Sequence, residues 1–191
     1  GSYQYTLTSK ASGLVQDVFT YGICDGDQDI DYAQLTLKTV VPVDDQPIII
    51  SETDAIVDET GLGATLQAGG RVTADFGGDS AGAYYQATET GSAVNPASFS
   101  AGGSLAGGAL TSQGVAITVT LVGNTYYGSA SGRQVFELQV NSDGSYAYRQ
   151  FDAIDHADPN NPNDVINLNF GITAVDGDGD TDVLSASESD K

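Results

Sequence analysis

The chain has 191 residues, 40% of them hydrophobic, with Lys+Arg 6 against Asp+Glu 26 and a formal net charge of -20. That length suits one domain or two small ones. The acidity argues against nucleic acid and anionic membrane surfaces as partners, since both need a basic stripe.

No apolar run reaches the length of a membrane span, so membrane insertion is not expected. No signal peptide is evident, which fits a fragment or another export route. Cys24 is the single cysteine, so no internal disulfide forms; it reads as a small buried residue. With 24 Gly and 10 Tyr, and with Thr/Val-rich runs, the composition is that of an all-β protein of many short strands and turns. Negligible helix is expected. The nearest candidate, Ala64 to Asp75, contains Gly69 and Gly70 and reads as a turn followed by a strand.

In chain order, Phe19 to Cys24 alternates as a half-buried strand and runs into the acidic loop Gly22 to Asp31. Tyr32 to Val41 is a second strand. Pro42 to Ile48 reads as a stiff junction in which Asp44 and Asp45 bind a bridging ion. Ile49 and Ile50 lead into the acidic cluster Glu52, Asp54, Asp58 and Glu59. Val72 to Phe76 is a strand. Gly77 to Ala109 is rich in Gly, Ser and Ala, with Tyr84 and Tyr85 among its few apolar anchors; it is a candidate recognition region, or else a long connection between strands. Val115 to Val122, Thr125 to Ala130 and Gln134 to Val140 are strands joined by hairpin turns at Gly123-Asn124 and Ser131-Gly132. The Asn141 to Gly144 turn leads into Ser145 to Phe151. A long polar loop, Asp152 to Asp164, precedes the last acidic loop.

The chain repeats itself. Gly1-Ser2-Tyr3-Gln4-Tyr5 matches Gly144-Ser145-Tyr146-Ala147-Tyr148, and Phe19 to Asp25 matches Phe170 to Asp176 in pattern. The second copy is longer, its insertion falling in Asp152 to Asp164. The first copy is only the second half of a repeat, and a few isolated strands cannot bury enough surface to fold alone. We therefore expect one compact β unit over 1–191, with a β segment 1–45 packed on a β-sandwich repeat 46–191. Residues 77–109 and 152–164 are its irregular loops.

Asp25, Asp27, Asp29 and Asp31 alternate with small or polar residues, as do Asp176, Asp178, Asp180 and Asp182. Carboxylates this close repel one another and stay ionised only around something positive. A hard divalent cation is the natural partner, because Ca²⁺ takes six to eight oxygen ligands and Gly permits the turns that converge them. Neither loop is an EF-hand, which needs a closing Glu and flanking helices, and neither is the nonapeptide β-roll. Affinity of about 10⁻⁴ to 10⁻³ M is expected.

Asp155, His156, Asp158, Asn160 and Asp164 form a second polar constellation, suited to Ca²⁺ or to the polar groups of a ligand. One His cannot supply a typical catalytic zinc site. Paired carboxylates serve glycosidases, but Trp is absent and no GlyXSerXGly elbow appears, so no enzyme is expected. The candidate ligand-binding set is Asp155, His156, Asp158, Asn160, Asp164, Tyr84 and Tyr85, with Tyr126 and Tyr127 as further contact area.

Gly144 to Tyr148, then Asp155 to Asp182, resembles the repeats of giant bacterial RTX adhesins exported by type I secretion. Arg71 to Gly77, Leu105 to Val115 and Gly1 to Leu7 carry the same resemblance. It implies tandem Ca²⁺-stiffened β-sandwich modules of immunoglobulin- or cadherin-like architecture. These are extracellular, anchored at the bacterial cell surface and active in cell adhesion and biofilm. It also implies, near the far end, a module that binds peptides, often by their C-terminal carboxylate, with Ca²⁺ involved. The irregular stretch 77–109 and the atypical end favour such a ligand-binding module, monomeric within a long chain, whose partner is a peptide or protein on another cell. A structural spacer repeat is the alternative, and carbohydrate binding a weaker one.

Overall fold

The computed structural model describes residues 2–6, 15–39, 46–61, 65–88, 96–158, 160–161 and 164–184. The chain divides into two compact units, Gly1–Asp44 and Asp45–Lys191, and the division falls inside the Pro42–Ile48 junction.

The first unit is a hairpin. Strands β1 (Val15–Cys24) and β2 (Ile30–Thr39) pair antiparallel without a register break, from Val15↔Thr39 to Cys24↔Ile30. The period of two places Phe19, Tyr21 and Ile23 on one face with their partners Leu35, Ala33 and Asp31. Tyr5 lies edge-on to Phe19 at 6.2 Å between ring centroids, and its hydroxyl donates to Asp17 Oδ2 at 2.7 Å. Cys24 is exposed rather than buried. It ends β1 on the opposite face from Phe19, which no apolar layer covers among the described residues of this unit.

The second unit is all-β and sandwich-like. Its strands are β3 (Ile48–Glu52), β4 (Leu66–Asp75), β5 (Tyr84–Ala87), β6 (Phe99–Gly103), β7 (Thr111–Ser112), β8 (Val115–Ala116), β9 (Thr118–Val122) and β10 (Thr125–Ala130), followed by β11 (Arg133–Val140), β12 (Ser145–Gln150), β13 (Ile166–Phe170), β14 (Ile172–Val175) and β15 (Thr181–Leu184). Helix among the described residues is confined to short 3-10 turns at Glu59–Gly61, Gly77–Asp79 and Ala106–Gly108.

One layer is a six-stranded antiparallel sheet in the order β3-β4-β12-β11-β10-β9. The other is built from β15-β14-β5 and β13-β6. The core lies where they meet. Val72, Val119, Tyr126, Phe136, Leu138, Val140 and Tyr148 from the large sheet pack against Tyr85, Ala87, Ile172 and Ala174 from the small one. Phe170 lies within 6.4 Å, ring centroid to centroid, of Tyr126, Phe136 and Tyr148.

The hairpin turns at Gly123-Asn124 and Ser131-Gly132 sit where expected, because strict alternation leads into each. Strand β10 buries every second residue. Its partner β11 departs from the period: a register shift beside Gly128 and Ser129 sets two residues of β11 against one, and Val135 and Phe136 both turn inward, wholly buried. The expected Val115–Val122 strand is broken at Ile117, which is buried and donates its N–H to the Leu110 carbonyl at 2.9 Å.

Residues 77–109 differ from the expected irregular loop. They contribute β5 and β6, and Tyr85, Ala87 and Phe99 are core or packed against it. These two strands are short and take partners far along the chain, β14 for β5 and β13 for β6. No local pattern announces them.

Candidate metal centres in two acidic turns

Each acidic loop closes a hairpin, and the two are built alike. In the first, Asp25 donates its N–H to the Asp29 carbonyl at 3.1 Å, and its Oδ1 accepts from Asp27 N at 3.3 Å and Asp29 N at 3.0 Å. In the second, Asp176 N donates to the Asp180 carbonyl at 3.1 Å, and Asp176 Oδ1 accepts from the backbone N–H of Asp178, Gly179 and Asp180 at 3.3, 2.9 and 2.8 Å. The fourth residue of each turn has positive φ: Gly179 at 105° and Gln28 at 76°. Glycine adopts this freely, whereas Gln28 does so at a cost that its turn must offset.

The turns gather their carboxylates. One ligand oxygen from each of Asp25, Asp27 and Asp29 lies within 4.8 Å of the others, and the same holds for Asp176, Asp178 and Asp180. Asp31 and Asp182 stand outside these clusters. Asp31 Oδ1 accepts from Tyr32 N at 2.9 Å. Asp182 spends both oxygens on backbone amides, Val183 N at 2.9 Å and Ile49 N at 2.7 Å. Asp44 and Asp45 lie outside the described residues.

Burial separates the two turns. Asp25, Asp27 and Asp29 are exposed. The Asp25 carboxyl is held below its usual range, first by a hydrogen bond shared with the Asp27 carboxyl; desolvation pulls the other way, and the N–H groups of Asp29, Asp27 and Gln28 add to the lowering. Beside it opens a cleft of about 300 Å³ lined by Ile23, Asp25, Asp29, Ile30 and Asp31. Asp176, in contrast, is only 2% exposed, and its Oδ2 is buried with no hydrogen-bond partner. Gly177 next to it donates to the Asp79 carbonyl at 2.7 Å, so the Gly77–Asp79 turn seats directly on the acidic turn. A buried, unpaired carboxylate oxygen with two more carboxylates converging is a donor set that a hard divalent cation fits. Asp176, Asp178 and Asp180 would hold it.

The other candidates are scattered or engaged in the fold. Tyr85 is a core residue: its hydroxyl accepts from Ala74 N at 2.7 Å and its ring lies edge-on to Phe76. Tyr84, its neighbour on β5, points outward and is 40% exposed. Tyr126 is wholly buried, and Tyr127 half-buried. Asp155 accepts from Gln113 N at 2.9 Å and Gly114 N at 2.7 Å, capping the β7–β8 turn. Asp158 accepts from Asn160 N at 2.9 Å, and Asp164 from Asp158 N at 3.0 Å. His156 lies between two carboxylates, with Nε2 3.6 Å from Glu59 and Nδ1 3.8 Å from Asp164. Glu59 is the partner that sequence reading missed. It also accepts the Ile154 N–H at 3.0 Å, yet nothing near residue 59 in the chain marks it as a neighbour of residue 156.

Fold and turns together define a sandwich-like all-β protein in which two hairpins close in acidic turns. Residues 54–187 match the family described as "Domain of unknown function (DUF5801)", and the chain belongs to that family. Comparison with curated proteins and with solved structures finds no match.

Proposed function

We propose that this chain is a calcium-stiffened structural repeat of an extracellular bacterial adhesin, carrying load rather than catalysing a reaction. One observation carries the reading: the buried, unpartnered Oδ2 of Asp176, on a turn where Asp178 and Asp180 converge. A buried acceptor oxygen left without a partner costs about 1–3 kcal/mol, and a cation bound there would remove that cost. The all-oxygen donors and the tight glycine-containing turn favour Ca²⁺. Recurrence of the turn in the first unit supports a chain built of similar modules, each with its own ion. Surface location, type I export and a part in biofilm follow from the resemblance to RTX adhesins. Calorimetric titration with CaCl₂ tests the reading. Uptake should weaken in Asp176→Asn, and chelation should lower the melting temperature. No heat of binding and an unmoved melting curve would end it.

A second reading, calcium-dependent capture of a peptide or protein on another cell, is favoured by the cleft at the first turn. An ion on Asp25, Asp27 and Asp29 would offer a ligand's terminal carboxylate a positive contact, and Ile23 and Ile30 would offer it apolar surface. Titration with peptides bearing free or amidated C-termini, in calcium and in chelator, decides it. Equal, negligible binding in every arm leaves the structural role alone.

A further inference from the structure

Three contacts gather at one end of the second unit. Gly177 N donates to the Asp79 carbonyl at 2.7 Å. Asp75, which leads through Phe76 into the Gly77–Asp79 turn, stands opposite Ile48 in the β3–β4 register. Ile49 N donates to Asp182 Oδ2 at 2.7 Å, across 133 positions of chain. The acidic turn, the Gly77–Asp79 turn and the start of β3 are thus joined in a ring, and Asp182 closes it. Asp182 stands opposite Ala174 in the hairpin whose turn carries Asp176, Asp178 and Asp180. Strand β3 is the edge of the large sheet, paired among the described residues with β4 alone, with a register break between Ile49 and Ser51. Buried Pro47 precedes it, so this is where the chain enters the unit.

We propose that Asp182 is a latch through which the Asp176–Asp180 turn governs how firmly β3 is held. The inference rests on the reading of that turn as a divalent-cation site, for which the unpartnered Asp176 Oδ2 is the independent observation. Without a cation the three carboxylates repel and spread the turn. The hairpin it closes then loosens at its first residues, Thr181 and Asp182. With a cation the turn tightens, Asp182 is fixed, and the Ile49 amide is held. Asp182 is a positioning residue and takes no part in holding the ion.

Amide hydrogen exchange at Ile49 in the full chain, read by NMR in CaCl₂ and in chelator, tests this. Calcium should slow exchange at Ile49 by about tenfold or more. Asp182→Ala should keep the Asp176-dependent calcium uptake measured by calorimetry and lose the response at Ile49. Asp182→Asn, which retains an acceptor oxygen, should restore the response, and Asp176→Asn should lose both. Uptake with unchanged Ile49 exchange, or a response that survives in Asp182→Ala, overturns the latch and leaves the cation site standing. Absence of Asp176-dependent uptake in the parent overturns both. Should Asp182→Ala not fold, the parent and Asp176→Asn decide, and an Ile49 response persisting in Asp176→Asn overturns the latch.

Discussion

The hydroxyl of Tyr126 lies 2.9 Å from the carbonyl oxygen of Gly171 and joins the two layers of the sandwich. Tyr126 belongs to β10 of the large sheet, and Gly171 sits between β13 and β14. The hydroxyl is also 3.1 Å from the Thr88 carbonyl, and the ring packs on Phe170 at 5.3 Å. Burial pushes the phenol up from its ordinary pKa, and its hydroxyl donates toward the Thr88 and Gly171 carbonyls. Tyr126→Phe keeps the ring and leaves buried carbonyls short of a donor. It should cost about 1–2 kcal/mol, read as a lower midpoint in urea. A midpoint equal to the parent's would show that the cross-layer bond contributes nothing.

The region from β9 to β12 was legible in the sequence because each strand alternates and each turn carries its own chemistry within a few residues. Tyr126 shows the limit. Its place in β10 was legible, but its inward face was fixed only when β9 and β11 paired on either side. Strands β5 and β6 were not legible, since their partners β14 and β13 lie far along the chain and Gly-rich surroundings blur any period. The acidic turns divide likewise. Asp176, Asp178 and Asp180 converge by local spacing, which a sequence displays. Asp182 continues that spacing, yet its partner is Ile49, a contact that exists only after the two layers have closed.

Gly177 and Gly26 hold the same position in the two acidic turns and should respond differently to the same change. A Cβ on Gly177 would collide with the backbone carbonyl oxygens of Ala81 and Asp79, whereas one on Gly26 meets nothing within 4 Å. Backbone cannot give way as a flexible side chain can. Gly177→Ala should therefore unseat the Gly77–Asp79 turn, destabilise by about 1–3 kcal/mol and weaken calcium uptake at the Asp176 turn. Gly26→Ala should sit within about 0.5 kcal/mol of the parent. Equal melting temperatures for both variants would contradict the packing described at Gly177.

Alkaline pH should unfold the second unit through its buried phenols. Burial, with the nearby charges of Asp54 and Glu52, pushes Tyr146 up to about 12. Burial and the charge of Glu59 push Tyr148 higher still. A folded pKa above the unfolded one means that the unfolded chain releases the proton first. The stability these groups contribute is therefore intact below about pH 10 and drains as pH rises through about 12 for Tyr146. Tyr146→Phe should flatten part of that decline, measured as urea midpoints at stepped pH. A variant that tracks the parent across the whole range would refute the assignment.

At acid pH the sign reverses, and Asp155 carries the clearest case. Partial burial pulls its pKa up, but hydrogen bonds from the Thr111 side chain, Gly114 N and Gln113 N outweigh it, with help from the Arg133 charge, and hold the carboxyl below its usual range. Its stabilisation is complete above the unfolded value near 4 and is lost as pH falls through the lower folded value. Those bonds tie the β7–β8 turn to the segment leading into His156. The partial exposure of Asp155 admits solvent screening, so the effect is modest. Asp155→Ala should cost about 1 kcal/mol at neutral pH and release the amides of Gln113 and Gly114 to exchange. The variant should also lose less stability than the parent as pH falls below about 4, because the group that titrates is gone. A binding residue free of structural duty would leave those two amides and the acid limb of the stability curve unchanged, and that result would return Asp155 to the list of ligand contacts.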